Sequence, residues 1–528
     1  MEGLKRGVMI KMNENKDEFK WVLRSYKIIR KIYNFISNYI NKINEKMKDK
    51  YSARTIGLWS SVIALFLIVY MLFVYPYLGI SDDGSFSRNM RHFGIDHIGE
   101  NREDNYFNYY NRRYMVSPEK AFIGEKGISS VNIFIKIALN LDKIFTKDSF
   151  FDMRFMGLVY TILFIPAFFI IVTHAAKRVN NFTEGVIIGI LGIIIFSDVS
   201  YTTYFCSFYS EPLVFICFLL CICSALSFNN KDSDILWLIL YIISGVILIT
   251  SEKQYSVLGI FLGILSVRFI FMERKVLYKA LCVFVSMILF FSFLWSSSNL
   301  ESNFTLSSKY NAMTRGILLQ SKNPEETLKE FGIDSNYSVL ADTNTNDFYP
   351  LTTGANESLN NGFFDKYNSI DIIKYYIKHP ISMVYMLNIA SKEAFNTRIS
   401  YSGNYEKEAG FNPKAKSLFW SSWSTFKMQS APKTIGGVIV LYVLTIILWG
   451  NKSRRLFLID KKGNNMTLEI MMLVIFSGLY QAIQAIVMSG DSELNKHIFI
   501  FSLSIDLLIY FCFSGIFHKL NIIQNGGE

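Results

Sequence analysis

The sequence predicts an all-α polytopic membrane protein with about ten transmembrane helices and a small extracytoplasmic domain. Of its 528 residues, 51% are hydrophobic, and mean hydropathy is +0.26. The apolar residues fall in blocks of about 16 to 24 separated by short polar turns, and a helix of roughly 20 residues crosses a hydrocarbon core of about 30 Å. A soluble fold has no interior large enough for so many blocks, so we predict a membrane protein.

Loop charges predict the orientation of these helices. The predicted spans are 57–78, 154–175, 182–198, 208–228, 235–250, 254–272, 277–296, 434–450, 467–489 and 496–517. Alternate connections carry the basic residues Lys177, Arg178, Arg268, Arg274, Lys275, Lys279, Lys452, Arg454, Arg455, Lys461 and Lys462. Connections near 199–207, 251–253 and 490–495 carry far fewer. Basic loops stay in the cytoplasm, so we expect a multi-pass protein of the cell membrane with both termini cytoplasmic.

Residues 1–56 form a basic segment before the first span. Met1–Arg54 contains 14 Lys/Arg and 6 Asp/Glu, a net charge of 14 − 6 = +8. Within Asp17–Met47, apolar residues recur at steps of three and four: Phe19, Leu23, Tyr26, Ile29, Ile32, Ile36, Ile40 and Ile43. This spacing with lysines between predicts an amphipathic helix on anionic cytoplasmic lipid. A solvated linker helix is the alternative, and nothing beyond charge favours nucleic acid.

The cysteines predict neither a disulfide framework nor a zinc site. Cys206, Cys217, Cys221, Cys223, Cys282 and Cys512 all lie in or beside apolar blocks, and no C-x-x-C pair occurs. We interpret them as small buried hydrophobic residues. The first apolar block begins near Ile56, too far along and too long for a cleavable signal peptide.

Two long connections divide the rest of the chain and are expected outside. Residues 57–296 form a transmembrane region with a first outer loop, 79–153. Its stretch Val131–Phe145 places Phe134, Ala138, Leu141 and Phe145 on one stripe, which predicts a helix flat on the outer leaflet.

The second connection, 297–433, precedes the C-terminal transmembrane helices of 434–528. It has 13 Asp/Glu and 14 Lys/Arg and is long enough for a small extracytoplasmic domain. Helices are predicted around Pro324–Phe331 and Ile370–Lys378. The apolar stretch Ile381–Phe395 is shorter than a span, which favours a re-entrant or interfacial helix.

Two adjacent carboxylates, Asp82 and Asp83, follow the first span directly. At a membrane exit they are within reach of a lipid headgroup and of an aqueous substrate. A carboxylate there can take a proton from an acceptor hydroxyl, or two can hold a divalent cation such as Mg or Mn. An ordinary Asp-Asp-Gly turn is the alternative.

Further polar clusters fall at span ends on the same predicted face. Their candidate substrate-binding residues are Arg88, Tyr209, Glu211, Glu252, Lys253, Asp491, Glu493, Lys496 and His497. Each cluster alone can be an interfacial anchor. Together they predict an electronegative centre with Lys253, Lys496 and His497 facing phosphate oxygens.

Motifs for nucleotide-driven chemistry are missing from the sequence. It has no P-loop, Gly-rich dinucleotide loop or H-E-x-x-H motif. Energy is therefore expected from an activated lipid-borne substrate or from an ion gradient.

At these residues the chain resembles the C-type (GT-C) superfamily of polytopic membrane glycosyltransferases. The resemblance rests on Asp82 and Asp83 in the first outer loop, the flat helix and the late outer domain. The stretch Tyr209-Ser-Glu-Pro and the block Gly490–His497 are similar to bacterial surface-glycan and secondary cell-wall hexose transferases. The protein-mannosyltransferase pattern is Asp-Glu, whereas here the second acid is Asp. The W-W-D signature of oligosaccharyltransferases is absent, and Trp420-Ser-Ser-Trp423 is only distantly similar.

The resemblance implies transfer of a sugar from a polyprenyl-phosphate donor to a glycan or lipid acceptor on the outer face, with inversion. Asp82 or Asp83 would be the general base, and Lys253, Lys496 and His497 would contact the donor phosphate. Glu211, Asp491 and Glu493 would bind the sugar or support its ligands.

A transporter or flippase of lipid-linked glycans is the alternative. It should place ionisable residues near the bilayer midplane, and often has repeated halves, whereas the charges considered above lie at span ends and no repeat is visible. A glycan polymerase or ligase fits the same substrate and face. A non-catalytic scaffold is the remaining reading.

Overall fold

The computed structural model describes residues 52–122, 129–179, 181–228, 234–272, 276–300, 306–345, 357–459, 466–492 and 494–524, with helical pieces of 27–47. Most of the predicted helix Asp17–Met47 therefore lies outside the described residues. Within the described pieces, Asn44 accepts hydrogen bonds of 3.1 Å from the backbone N–H and the hydroxyl of Thr183. The end of the N-terminal segment thus contacts the start of a membrane helix.

Thirteen described helices have ten or more residues. They are α1 (Ala53–Phe73), α2 (Val131–Phe145), α3 (Arg154–Ala176), α4 (Phe182–Phe196), α5 (Glu211–Ser227), α6 (Asp234–Ile249), α7 (Leu258–Met272), α8 (Val276–Asn299), α9 (Ser369–Lys378), α10 (Pro380–Ala394), α11 (Ile435–Ile459), α12 (Thr467–Ser489) and α13 (Phe499–Gln524). Shorter α-helices cover Ser87–Met90, Arg102–Asn105, Val199–Thr202, Leu306–Asn311, Pro324–Glu330, Glu357–Gly362, Ser422–Ser430 and Leu494–His497. The chain is an all-α polytopic membrane protein, as predicted.

A helix lies at each of the ten predicted spans. Six described helices are long and apolar enough to cross a membrane, and up to eight if two bent pairs each count as one span. In the first pair α4 meets Val199–Cys206 at 46°, and in the second Ser422–Ser430 meets α11 at 115°. The remaining two, α5 and α6, have only 17 and 16 residues. At about 1.5 Å per residue they are short for a full crossing.

Some boundaries differ from the prediction. Helix α1 ends at Phe73 rather than near residue 78. The residue before a proline disfavours helical geometry, and Tyr75 precedes Pro76, so the chain leaves the helix there and becomes extended. At the other end of the chain, Lys496 and His497 lie in the short helix Leu494–His497, and the long helix α13 starts only at Phe499.

In the described parts of the two long connections, five short strands are present. They are β1 (Leu78–Ile80), β2 (Ile95–Asp96), β3 (Arg113–Val116), β4 (Phe150–Asp152) and β5 (Ser402–Tyr405). Strands β2, β3 and β4 form an antiparallel sheet, and β1 pairs antiparallel with β5. Ile80 is opposite Ser402, so residues far apart in the chain meet beside Asp82 and Asp83.

The predicted helix Val131–Phe145 is present with those bounds, but its buried stripe is rotated. Ala138 is fully buried, as expected, whereas Phe145 is 72% exposed. Val131, Ile135 and Leu139 are buried instead. Apolar side chains of this helix lie on most of its circumference. Their three- and four-residue spacing alone therefore does not select the face that packs on α3.

The second connection is helical where predicted, at Pro324–Glu330 and α9, and α10 covers the apolar stretch 381–395. Helix α10 packs against α11 and α12 through a buried side that contains Met386 and Ala390. Its Ile381 is 84% exposed, next to the likewise exposed Val384.

Candidate active site

The turn after β1 is built around Asp82. Its side chain is 1% exposed, and its Oδ1 accepts hydrogen bonds from the backbone N–H groups of Gly84 (2.7 Å) and Phe86 (3.3 Å). Gly84 has φ of +96°, a left-handed conformation that glycine adopts without strain. These contacts are those of an aspartate that caps a turn.

The second oxygen of Asp82 contacts a histidine. Asp82 Oδ2 lies 3.0 Å from His97 Nε2, and the His97 side chain is only 8% exposed. The imidazole is held between the rings of Tyr106 and Tyr114, with centroid distances of 5.1 and 5.2 Å. Asp82 therefore holds the turn and orients His97.

Asp83 has different partners. Its Oδ1 accepts from the Ser85 N–H (3.0 Å) and hydroxyl (2.6 Å), and its Oδ2 accepts from the Tyr401 hydroxyl (3.0 Å). Lys496 Nζ lies 2.7 Å from the same Oδ2, and the Asp83 side chain is 2% exposed. Burial by itself raises the pKa of Asp83, but the charge and hydrogen bond of Lys496, with Ser85, lower it to about 2.

The predicted clusters meet in space. Lys496 brings the connection between α12 and α13 to Asp83, and its ammonium lies 5.6 Å from the Tyr401 ring centroid. Arg88, in the short helix after Asp83, forms a 3.8 Å ion pair with Glu252. Residues from the first connection, the second connection and two short loops thus surround one place at the helix ends.

Two predicted residues here have buried polar atoms without a hydrogen-bond partner among the described atoms. Glu211 begins α5 and is 8% exposed; its Oε2 has no such partner, and the charges of Glu252 and Asp83 act on it. The Tyr209 hydroxyl makes no direct hydrogen bond among the described atoms, although Asp83 and Ser85 interact with it, and its ring centroid lies 4.6 Å from that of Phe86. Buried polar groups are normally paired, so the two atoms are available to a polar ligand.

The remaining predicted substrate-binding residues are Lys253, His497, Asp491 and Glu493. Lys253 and His497 are partly exposed, in a short 3-10 helix and at the end of Leu494–His497. Asp491 uses both carboxylate oxygens on Arg315, at 2.8 Å each, and this bidentate pair ties the connection after α12 to the second connection. Glu493 lies outside the described residues.

The sequence allows a divalent-cation site formed by Asp82 and Asp83. Their carboxylates are occupied by His97 and by Lys496, respectively. In the described part of the chain no group of three or more His, Cys, Asp or Glu side chains is arranged to hold a metal ion.

Two cavities open beside Asp82. One has a volume of about 230 Å³ and is lined by Asp82, Arg91 and His97. The other has a volume of about 630 Å³ and is lined by His97 together with Tyr75, Tyr77, Arg113 and Glu408, among others. His97 lines both cavities, so it lies between them, and Asp82 itself lines only the smaller one.

Sequence reasoning missed His97, Tyr401 and a buried ion pair. Tyr401 lies 318 positions from Asp83 and follows no motif, and the only signal for His97 was its place in a polar outer loop. The view that the notable charges lie at span ends also missed Asp506, which lies within the candidate span Phe499–Phe517. Lys427 Nζ contacts both Asp506 oxygens (2.8 and 2.7 Å), and Tyr201 donates to Oδ2 (2.7 Å).

One protein family matches this sequence over almost its whole length. The model of the YfdI N-terminal transmembrane domain covers residues 37–528. No curated protein and no solved structure matches the chain. With ten apolar helices and a match of this extent, the protein belongs to the YfdI N-terminal transmembrane domain family.

Proposed function

We propose that this protein is a membrane glycosyltransferase that moves a sugar from a polyprenyl-phosphate donor to a glycan or lipid acceptor on the outer face. The family match is consistent with a membrane glycosyltransferase. The observation that carries the proposal is Asp83: a nearly sealed carboxylate at a membrane exit, beside a lysine and unpaired Tyr209 and Glu211. Such a site places a base and a cation within reach of one lipid-borne substrate.

Asp83 is the proposed general base, because its carboxylate contacts the cation of Lys496 and interacts with Glu211, whereas Asp82 caps the turn and contacts His97. The acceptor hydroxyl oxygen bonds to the anomeric carbon of the donor while its proton passes to the Asp83 carboxylate. The bond from that carbon to the phosphate oxygen breaks, and its electron pair leaves with polyprenyl phosphate. The attack inverts the anomeric configuration.

Cations are assigned to the leaving group and acids to the sugar. Lys496 and His497 from one short connection, with Lys253 from another, would offset the negative charge that develops on the phosphate. Glu211 Oε2 and the Tyr209 hydroxyl would hydrogen-bond sugar hydroxyls, which would supply the partners that these buried atoms have not found within the described chain.

The cavity of about 630 Å³ suits the acceptor. Tyr75 and Tyr77 present rings that can stack on sugar faces, and Arg113 and Glu408 add charged hydrogen-bonding groups. His97, which contacts Asp82, lines this cavity, so an acceptor bound there would lie close to the turn that carries Asp83.

A flippase of lipid-linked glycans is the second candidate, because the Lys427–Asp506 pair lies among the membrane helices, where transporters place ionisable groups. The pair is bonded on both Asp506 oxygens, which is the arrangement of a structural contact. We therefore prefer the transferase.

The test is sugar transfer in proteoliposomes by Asp83→Asn and Asp82→Asn, with a radiolabelled polyprenyl-phosphate sugar as donor and a lipid-linked glycan as acceptor. Loss of a general base costs about 10²- to 10⁴-fold in rate. We expect Asp83→Asn to lose at least about 100-fold while it elutes as folded protein, and Asp82→Asn to lose much less.

Wild-type transfer by both variants would remove Asp83 as the base. Translocation of the donor across the bilayer by the wild-type chain, without any transfer, would instead favour the flippase. A fluorescent donor whose outer-leaflet fraction is read by chemical quenching separates these two outcomes.

A further inference from the structure

The contact between Asp83 and Lys496 poses a chemical conflict within the proposed function. A general base works best when its pKa is close to the working pH. Asp83 is instead held at a pKa of about 2 by the ammonium 2.7 Å away. In this state the carboxylate is a weak proton acceptor, and Lys496 is already engaged by an anion.

Geometry shows which of the two partners an arriving ligand can reach. The Asp83 side chain is 2% exposed, whereas that of Lys496 is 20% exposed. Asp83 is also held from other directions by Ser85 and by the Tyr401 hydroxyl. A lysine ammonium is a point charge on a flexible four-carbon stem, so Lys496 is the partner that can turn towards a new anion while Asp83 stays in place.

We propose that Asp83 and the phosphate of a lipid-linked donor compete for Lys496, so that phosphate binding draws the ammonium away and leaves Asp83 free to act as the base. This inference rests on the proposed function and assigns an order to it: the base forms only after the donor phosphate has bound. The exchange prevents a strong base from existing in the empty site.

The surroundings of Asp83 fit its conversion into a base. After Lys496 turns away, Asp83 remains buried, and burial raises its pKa. The other titratable groups that act electrostatically with Asp83 are Glu211, on α5, and the tyrosines 204, 209 and 401. A negative charge on Glu211 disfavours ionised Asp83, in the same direction as burial, whereas the hydrogen bonds from the Tyr401 and Ser85 hydroxyls favour it.

The competition predicts that removal of a carboxylate strengthens phosphate binding. Undecaprenyl phosphate is titrated into the full chain in nanodiscs, and bound lipid is counted by native mass spectrometry. We expect Asp83→Asn to bind about fivefold more tightly than wild type, and Lys496→Gln about fivefold more weakly, the upper end of the range for a partly exposed ion pair. Undecaprenol, which lacks the phosphate, should bind all variants equally.

Two controls separate exchange from general repulsion between anions. Asp82→Asn makes the same chemical change one residue away, where the partner is His97, and should leave the affinity within about twofold. In the Lys496→Gln background, the added Asp83→Asn change should have no further effect. Inorganic phosphate at the same concentration tests whether the lipid is needed, and should not displace the bound lipid.

Three results would count against the exchange. Equal or weaker binding by Asp83→Asn overturns it, and so does tightening that persists without Lys496, because that is simple repulsion. If wild-type protein binds undecaprenyl phosphate no better than undecaprenol, both the exchange and the proposed donor class fall. If either of the first two results is found while wild-type protein still prefers undecaprenyl phosphate to undecaprenol, the donor class stands and the competition is wrong.

Discussion

Asp82 and Asp83 are neighbours in the chain, but their carboxylates have different partners and different tasks. Asp82 accepts two backbone N–H groups and contacts His97, while Asp83 contacts Lys496 and Tyr401. The sequence allows two interpretations of this pair, a turn and a catalytic base. The contacts of Asp82 are those of a turn residue, and Asp83 is the residue that we propose as the base. The pattern Asp-Asp contains no information on which is which, because the answer depends on partners distant in the chain.

The role of Asp82 as a turn cap can be tested by truncation. Asp82→Ala leaves the buried Phe86 N–H without this acceptor, which costs about 1–3 kcal/mol, whereas the Gly84 N–H is at an exposed residue and can be solvated. Asp82→Asn keeps an oxygen for them and should cost less. Thermal unfolding in detergent measures the difference, and an Asp82→Ala variant as stable as Asp82→Asn would contradict it.

The ion pair of Asp83 predicts a pH dependence of stability. Its pKa of about 2 lies below the ordinary 3.8, so the pair stabilises the fold above about pH 4 and this stabilisation is lost as the pH falls towards 2. In Lys496→Gln burial remains and raises the pKa, so ionised Asp83 destabilises the fold at pH 7 and protonation relieves it as the pH falls. The Tm deficit of Lys496→Gln against wild type should therefore shrink by about 1 °C for each unit by which the pKa of Asp83 is raised, when the pH falls from 7 to 4. Asp83→Asn/Lys496→Gln should show no such change against wild type over this range.

At the scale of elements, the segment 401–430, which we call the strap, positions Tyr401 at the site. Strand β5 pairs with β1, and the chain then reaches the helix Ser422–Ser430, whose first N–H groups are capped by buried Asp198 through Trp423 and Ser424 (3.1 Å each). Lys427 in the same helix holds Asp506 of α13. The strap is thus attached to two membrane helices and to the strand beside Asp83, which positions Tyr401.

Removal of one partner of the buried pair should loosen this strap. Lys427→Met leaves the Asp506 charge buried without its cation, which costs about 3–5 kcal/mol. In Lys427→Met/Asp506→Asn the charge is gone while an oxygen remains for Tyr201, so at least half of the stability should return. Thermal unfolding and fluorescence-detected size exclusion measure both. A double variant as unstable as the single one would show that Lys427 acts by packing alone.

At the scale of the whole molecule, the functional conclusion depends on which side of the membrane the site faces. Helices α1, α3, α4, α5 and α13 pack together, and the ends that bear Asp83, Glu211 and Lys496 meet. Loop charges predict, by the positive-inside rule, that this end faces outside. The contacts bring Asp83, Glu211 and Lys496 together at one end, and the side that this end faces stays a prediction.

Cysteine labelling tests the side directly. All six native cysteines are buried and should react slowly with an impermeant maleimide. Glu408→Cys, at an exposed site in the second connection, should be labelled in intact cells, and Lys177→Cys, exposed between α3 and α4, only after the membrane is permeabilised. The reverse pattern would put the candidate site in the cytoplasm and rule out an outer-face reaction.

The sequence by itself determined the fold class and the position of every apolar helix, because hydrophobic length and loop charge are local properties. It also determined that Asp83, Glu211, Glu252 and Lys496 lie at helix ends. Helix ends and packing faces were less well predicted. Helix α1 stops before Pro76, and α2 packs on α3 through a face other than the predicted one.

Only the tertiary structure decided how the site is divided. Pairing of Ile80 with Ser402 brings Tyr401 to Asp83, and packing of α13 brings Asp506 to Lys427. These contacts join residues up to 402 − 80 = 322 positions apart, and neither periodicity nor motif spacing contains them. The membrane helices follow from local hydrophobicity, whereas the partner of each carboxylate follows from long-range packing, and it is this packing that makes Asp83 rather than Asp82 the proposed base.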